Sequence, residues 1–113
     1  MDNFAVHDTH GMLDNVGTVV PRQAGFMVPV LISRHLSDVL EVDEDWQVYE
    51  SFDGRLREVL QMASAALKKA PSGTNPVSFE AVVTSNMTHH KDTLSLLISF
   101  DGEAMIVSFP GDE

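Results

Sequence analysis

Residues Thr93–Phe109 read Thr-Leu-Ser-Leu-Leu-Ile-Ser-Phe-Asp-Gly-Glu-Ala-Met-Ile-Val-Ser-Phe. Leu94, Leu96, Ile98 and Phe100 recur at every second position, Asp101-Gly102 interrupts, and Met105, Val107 and Phe109 resume the period. A period of two marks a strand with one buried face. Asp-Gly between two such runs signals a hairpin, because a type I′ turn needs positive φ at both central residues. That turn predicts a register in which Phe100 faces Glu103, Ile98 faces Met105, Leu96 faces Val107 and Leu94 faces Phe109. The apolar residues of both strands then share a face, and strands are expected over 93–100 and 103–109.

Upstream, Val77-Ser78-Phe79-Glu80-Ala81-Val82-Val83 alternates in the same way and predicts a strand over 77–83, followed by a polar connection, Thr84–Asp92. Before it, Leu56, Val59, Leu60, Ala63, Ala66, Leu67 and Ala70 recur at steps of three and four, which predicts a helix over 54–70. Ser51 or Asp53 can cap its start, Lys68 and Lys69 complement the dipole at its end, and Pro71-Ser72-Gly73 stops it. A shorter helix over 34–41 follows Ser33 as cap, with Leu36, Val39 and Leu40 as its apolar stripe. Pro21 suits the first turn of a further short helix and Gly25 its end. Phe26–Ile32 is expected to be extended, and Pro29 within it points to an edge strand or a segment without a full ladder. Residues 1–18 show no sustained period and predict a loosely ordered arm ahead of a single domain over 19–113. The expected fold is two-layer α+β, with helices 34–41 and 54–70 packed on a C-terminal antiparallel meander, 77–83, 93–100 and 103–109.

The 113-residue chain is 43% hydrophobic and 21% charged, a composition of one small globular domain rather than of a multi-domain enzyme. With no Cys, a disulfide framework, a thiolate nucleophile and a Cys-based metal centre are excluded. Apolar runs are only a few residues long, so neither a transmembrane helix nor a secretory signal is expected, which favours an intracellular, cytoplasmic protein. Seven Lys+Arg against 17 Asp+Glu leave a net charge of −10. Nucleic-acid binding draws on Lys and Arg neutralising phosphates, so direct binding of DNA, RNA or anionic lipid is disfavoured. A protein that carries a basic surface is the better electrostatic match.

Little in the chain supports catalysis. His7-Asp8-Thr9-His10-Gly11-Met12-Leu13-Asp14 echoes the metal-binding opening of barrel hydrolases, but Met12 stands where a second His belongs, and those enzymes need a much longer barrel. His7 and His10 are therefore read as surface residues of the arm, and His89-His90 as part of a polar turn. His35, with Asp38 three residues on, suits a local pair or a half-buried ring. Neither a Gly-x-Ser-x-Gly elbow nor a phosphate-cradling Gly-rich loop occurs. Arg55 and Arg57 are expected to serve as intramolecular partners of nearby acids, and Met27, Met62, Met87 and Met105 as packing material. No catalytic residue, metal or cofactor is expected, and the chain does not read as an enzyme.

The densest charge lies between Asp38 and Glu58, where Asp38, Glu41, Asp43, Glu44, Asp45, Glu50, Asp53 and Glu58 meet only Arg55 and Arg57. As a solvated helix–loop–helix face, this stretch needs no function. As a contact surface, Asp38, Glu41, Asp43, Glu44, Asp45, Glu50 and Asp53 present carboxylates to a basic partner. Trp46 and Tyr49 would be its aromatic anchors.

Gly25-Phe26-x-Val28-Pro29-Val30, a short helix with Arg34, the acidic residues, Gln47-Val48-Tyr49 and Gly54-Arg55-Leu56-x-Glu58-Val59-Leu60-x-Met62 occur in that order. With the acidic end Phe109-Pro110-Gly111-Asp112-Glu113, this order resembles a short uncharacterised domain family carried on plasmids, phages and integrative elements. The chain departs from that pattern at Leu56-Arg57-Glu58 and at Leu36, where the family has aromatics. The resemblance implies a mobile-element setting, in which small acidic proteins include anti-CRISPR and antirestriction inhibitors. The expectation is a non-enzymatic inhibitor that blocks a nucleic-acid-binding subunit of a host defence complex by charge mimicry. The alternative is a structural or regulatory accessory protein acting through homo-oligomer or partner contacts, with Glu103–Phe109 as an edge strand open to extension.

Overall fold

The computed structural model describes residues 12–84 and 90–111, so the expectations for His7, His10, Met87, His89, Asp112 and Glu113 lie outside the described residues. In chain order the elements are β1 Leu13–Asn15, α1 Val19–Gln23, β2 Val30–Ser33, α2 Arg34–Leu40, a 3-10 turn Glu44–Trp46, α3 Phe52–Lys69, β3 Val77–Thr84, β4 Lys91–Phe100 and β5 Met105–Ser108. The strands form one sheet in the order β1-β2-β5-β4-β3. Its pairs are antiparallel except β2–β5, which is parallel. The expected α+β class and the β3-β4-β5 meander are therefore present.

The core lies between the helices and one face of this sheet. α3 contributes Leu56, Val59, Leu60 and Ala63, and α2 contributes Leu36 and Leu40. They meet Val30, Ile32, Val77, Phe79, Ala81, Val83, Leu96, Ile98 and Val107 from the strands in a single cluster. β3 keeps the predicted alternation, with Ser78, Glu80 and Val82 exposed between buried neighbours. Both helix starts use a serine: Ser33 Oγ accepts from Leu36 N at 3.1 Å, and Ser51 Oγ accepts from Gly54 N at 3.0 Å. Ser51 rather than Asp53 is thus the cap of α3. A Cβ at Gly54 would approach Ser51 Oγ to 3.2 Å, so the glycine makes room for its own capping bond.

The hairpin register differs from the expected one. Phe100 faces Met105 and Ile98 faces Val107, a shift of two residues that leaves a four-residue connection, Asp101–Ala104. Asp101 is the cause: its Oδ1 accepts from Glu103 N and from Ala104 N, each at 2.9 Å, and its own N donates to Ala104 O at 3.2 Å. A carboxylate that satisfies two successive N–H groups competes with the tighter turn for those donors. Gly102, at φ +101°, supplies the backbone conformation this loop requires. A shift of two preserves the side-chain faces, so Leu96, Ile98 and Val107 are buried as predicted, whereas Phe100 at the end of β4 is 44% exposed.

Two edge assignments also change. β2 is not an edge strand, because it sits between β1 and β5. Pro29 lies one residue before it and still joins the sheet through its carbonyl, which accepts from Met105 N at 2.9 Å. β5 is likewise interior, between β2 and β4, which leaves β1 and β3 as the edges. Leu13–Asn15, read from sequence as arm, pairs with Leu31–Ser33. Asn75, read as linker, acts as an extra rung of the β3–β4 ladder: Nδ2 donates to Phe100 O at 2.9 Å and Oδ1 accepts from Phe100 N at 3.1 Å.

Candidate functional site

Chain direction decides where the acids fall. β2 runs into α2 at Ser33, and the segment after α2 leads to the start of α3 beside Thr84, the last residue of β3. The acidic residues 38–53 therefore gather at that end of the sheet. Asp101 and Glu103 occupy the β4–β5 connection at the other end, separated along the ten residues of β4 by roughly 30 Å. The two acidic clusters form separate surfaces.

Within the first cluster Asp38, Glu41, Asp43, Glu44, Asp45 and Asp53 are exposed. Their backbone is anchored from beneath by Val42, which is buried, and by Gln47 Nε2 donating to Val42 O at 3.3 Å. Glu50 differs, for it turns inward. Arg55, 2% exposed, donates from Nε to Glu50 Oε1 at 3.0 Å and from Nη1 to Glu41 O at 2.8 Å. The Thr84 hydroxyl is the main cause that holds the Glu50 carboxyl below its ordinary range; the bond and charge of Arg55 add to it against the opposing cost of burial. One arginine thus ties the acidic loop at two points, 41 and 50, to the first turn of α3. Arg57 does not pair with an acid as expected but donates from Nε to Gln23 Oε1 at 3.0 Å, joining α3 to α1.

The predicted aromatic anchors divide. Trp46 is half-buried at the end of the 3-10 turn, and Tyr49 is 72% exposed beside Val48 at 82%. Their rings meet edge to face, with centroids 4.7 Å apart and planes at 83°, so Trp46 holds Tyr49 out toward solvent. At the flank of this crest Arg34 makes a two-pronged bond to Asp14, Nε to Oδ2 at 3.0 Å and Nη2 to Oδ1 at 2.9 Å, which links α2 to β1. The hydrogen bond to Asp14 chiefly raises the Arg34 pKa, with Asp38 adding a smaller attraction. The His35 ring meets Phe109 with centroids 4.4 Å apart and planes tilted by 35°, a contact across to the chain after β5. Met27 and Met62 are exposed, at 80% and 47%, and are not packing material.

Among the described residues no group of three or more His, Cys, Asp or Glu side chains is placed to hold a metal ion, and no helix is long and apolar enough to cross a membrane. The arrangement offers carboxylates on an anchored scaffold and one projecting aromatic, which suits binding. Comparison of the chain with family models, with curated proteins and with solved structures found no match.

Proposed function

We propose that this chain is a non-enzymatic acidic inhibitor from a mobile element, of the anti-CRISPR kind. In this reading it acts in the host bacterium's cytoplasm by occupying the basic, nucleic-acid-binding surface of a defence-complex subunit. The observation that carries the reading is the crest of exposed carboxylates at residues 38–53, anchored through buried Arg55. Carboxylates held on a rigid frame can meet Lys and Arg side chains arranged for phosphates, and opposite charge speeds encounter. Exposed Tyr49 adds an aromatic anchor amid the charge.

The test is binding to purified defence complexes, together with their target-DNA binding, as salt rises. Competition with DNA that weakens with salt is expected. Reversal of Glu41, Asp43, Glu44 and Asp45 to Lys should weaken binding most. Salt-insensitive binding, or DNA binding unchanged by the protein, overturns charge mimicry. A second reading, an accessory protein that assembles by sheet extension, is favoured by β3, an eight-residue strand at the end of the sheet. Light scattering separates the two, since a stable homodimer that buries β3 supports only the second.

A further inference from the structure

We propose that the groove between α3 and the start of β4 binds a small organic anion, an apolar body carrying a single carboxylate or phosphate group. Two hollows of about 460 and 280 Å³ share Glu58, Gln61 and Lys91 along their lining, so they form one trough that runs from Tyr49 to Val82. That size is within the range of small-molecule sites, roughly 300–1,000 Å³.

The charge of the trough is opposite to that of the chain. Three of the seven Lys and Arg residues, Arg55, Arg57 and Lys91, line it. Arg55 and Glu50 neutralise each other, and Arg57 with Lys91 against Glu58 leaves one net positive charge in a protein of −10. The Arg57 guanidinium is held in place through its Nε bond to Gln23. The Arg57 fork and the Lys91 ammonium line the same hollow and can together hold one oxyanion group.

The remainder of the trough is apolar at both ends. Tyr49, braced by Trp46, stands at one end, and Met62 and Val82, each close to half exposed, stand at the other. An inorganic ion would leave these surfaces wet, whereas an aryl or alkyl body attached to the oxyanion covers them. The net single positive charge matches one anionic group and disfavours polyanions, which the surrounding acids repel.

The experiment is an amide chemical-shift titration of the full chain with phenyl phosphate, benzoate and inorganic phosphate at constant ionic strength. Saturable shifts centred on Arg57, Gln61 and Lys91 are expected for phenyl phosphate or benzoate, and the stronger of the two assigns the head group. Binding should be about tenfold tighter than for inorganic phosphate, reflecting burial of the ring. Arg57→Gln and Lys91→Gln should each weaken it about fivefold, while Lys68→Gln, at the far end of α3, leaves it unchanged. Shifts that do not saturate, an equal response to inorganic phosphate, or affinity unaltered in both groove variants overturns the proposal. Tyr49 borders both the trough and the partner surface, but the substituted and reporting residues Arg57, Gln61 and Lys91 lie outside residues 38–53, so this inference can fail while the inhibitor reading stands, and the reverse.

Discussion

Arg55 and Glu50 meet at 3.0 Å across the turn that starts α3, with the arginine side chain 2% exposed and the glutamate side chain 29% exposed. A guanidinium taken that far out of water is costly without hydrogen-bond acceptors, and the Glu50 carboxylate and the Glu41 backbone carbonyl each accept one bond from it. The pair gives the acidic crest its shape, because it fastens the residues on both sides of the 3-10 turn to a helix that belongs to the core.

Arg55→Ala should destabilise the fold by about 2–3 kcal/mol, since it leaves the Glu41 carbonyl and the half-buried Glu50 carboxylate without their charged donor. Urea denaturation measures this as a lower midpoint at unchanged slope. A loss below the usual scatter of surface substitutions, about 0.5 kcal/mol, would show that the pair does not support the loop.

Acid should loosen the same contact. Thr84 and Arg55 depress the folded-state Glu50 pKa below its ordinary value of 4.5. A depressed carboxylate contributes stability that is full above the unfolded-state value and is lost as pH falls through the folded one. Denaturation midpoints should therefore hold near neutrality and decline below about pH 4.5, with Asp101, lowered by the Ala104 and Glu103 backbone N–H groups, adding to the decline. Glu50→Gln should flatten part of that slope while lowering stability at pH 7. An unchanged slope would remove Glu50 from the account.

At the other end of the sheet, Asp101→Ala should lower the denaturation midpoint by removing the acceptor for two backbone N–H groups. Cross-strand NOEs in the unsubstituted protein should pair Phe100 with Met105 and Ile98 with Val107. Contacts of Phe100 with Glu103 would instead restore the two-residue turn.

Asn75→Ala should cost about 1 kcal/mol, because the side chain makes both a donor and an acceptor bond to Phe100. Hydrogen exchange should then speed up at the Phe100 amide while the middle of β4 keeps its protection. Equal exchange along β4 would mean that Asn75 is not a rung of the ladder.

The core should respond in the usual way to truncation. Leu60, fully buried on α3 against the sheet, should lose about 2–5 kcal/mol as Leu60→Ala, measured by thermal or urea unfolding. Met62→Ala, two positions on and 47% exposed, should change stability little, which separates core from groove on one helix.

Local signals in the chain were sufficient for α3, for the cap at Ser33, for the alternation of β3 and β4, and for the α+β class, and they narrowed the α3 cap to Ser51 or Asp53. Each is determined within a few residues, by periodicity or by a side chain that reaches its own backbone. The acidic run between Asp38 and Glu58 was equally plain, as was the absence of Cys. The tertiary structure alone placed β2 beside β5, because a parallel pair joins distant segments and leaves no turn signal. It also moved the hairpin by two residues through one Asp101 carboxylate, a shift to which the alternating pattern is blind. Among the acids, tertiary packing turned Glu50 inward to Arg55 and Thr84 and left the other six carboxylates of residues 38–53 exposed. The turn at Asp101 and Glu103 was set some 30 Å away along β4. Composition counts charges, but strand direction and burial decide which of them can face one partner.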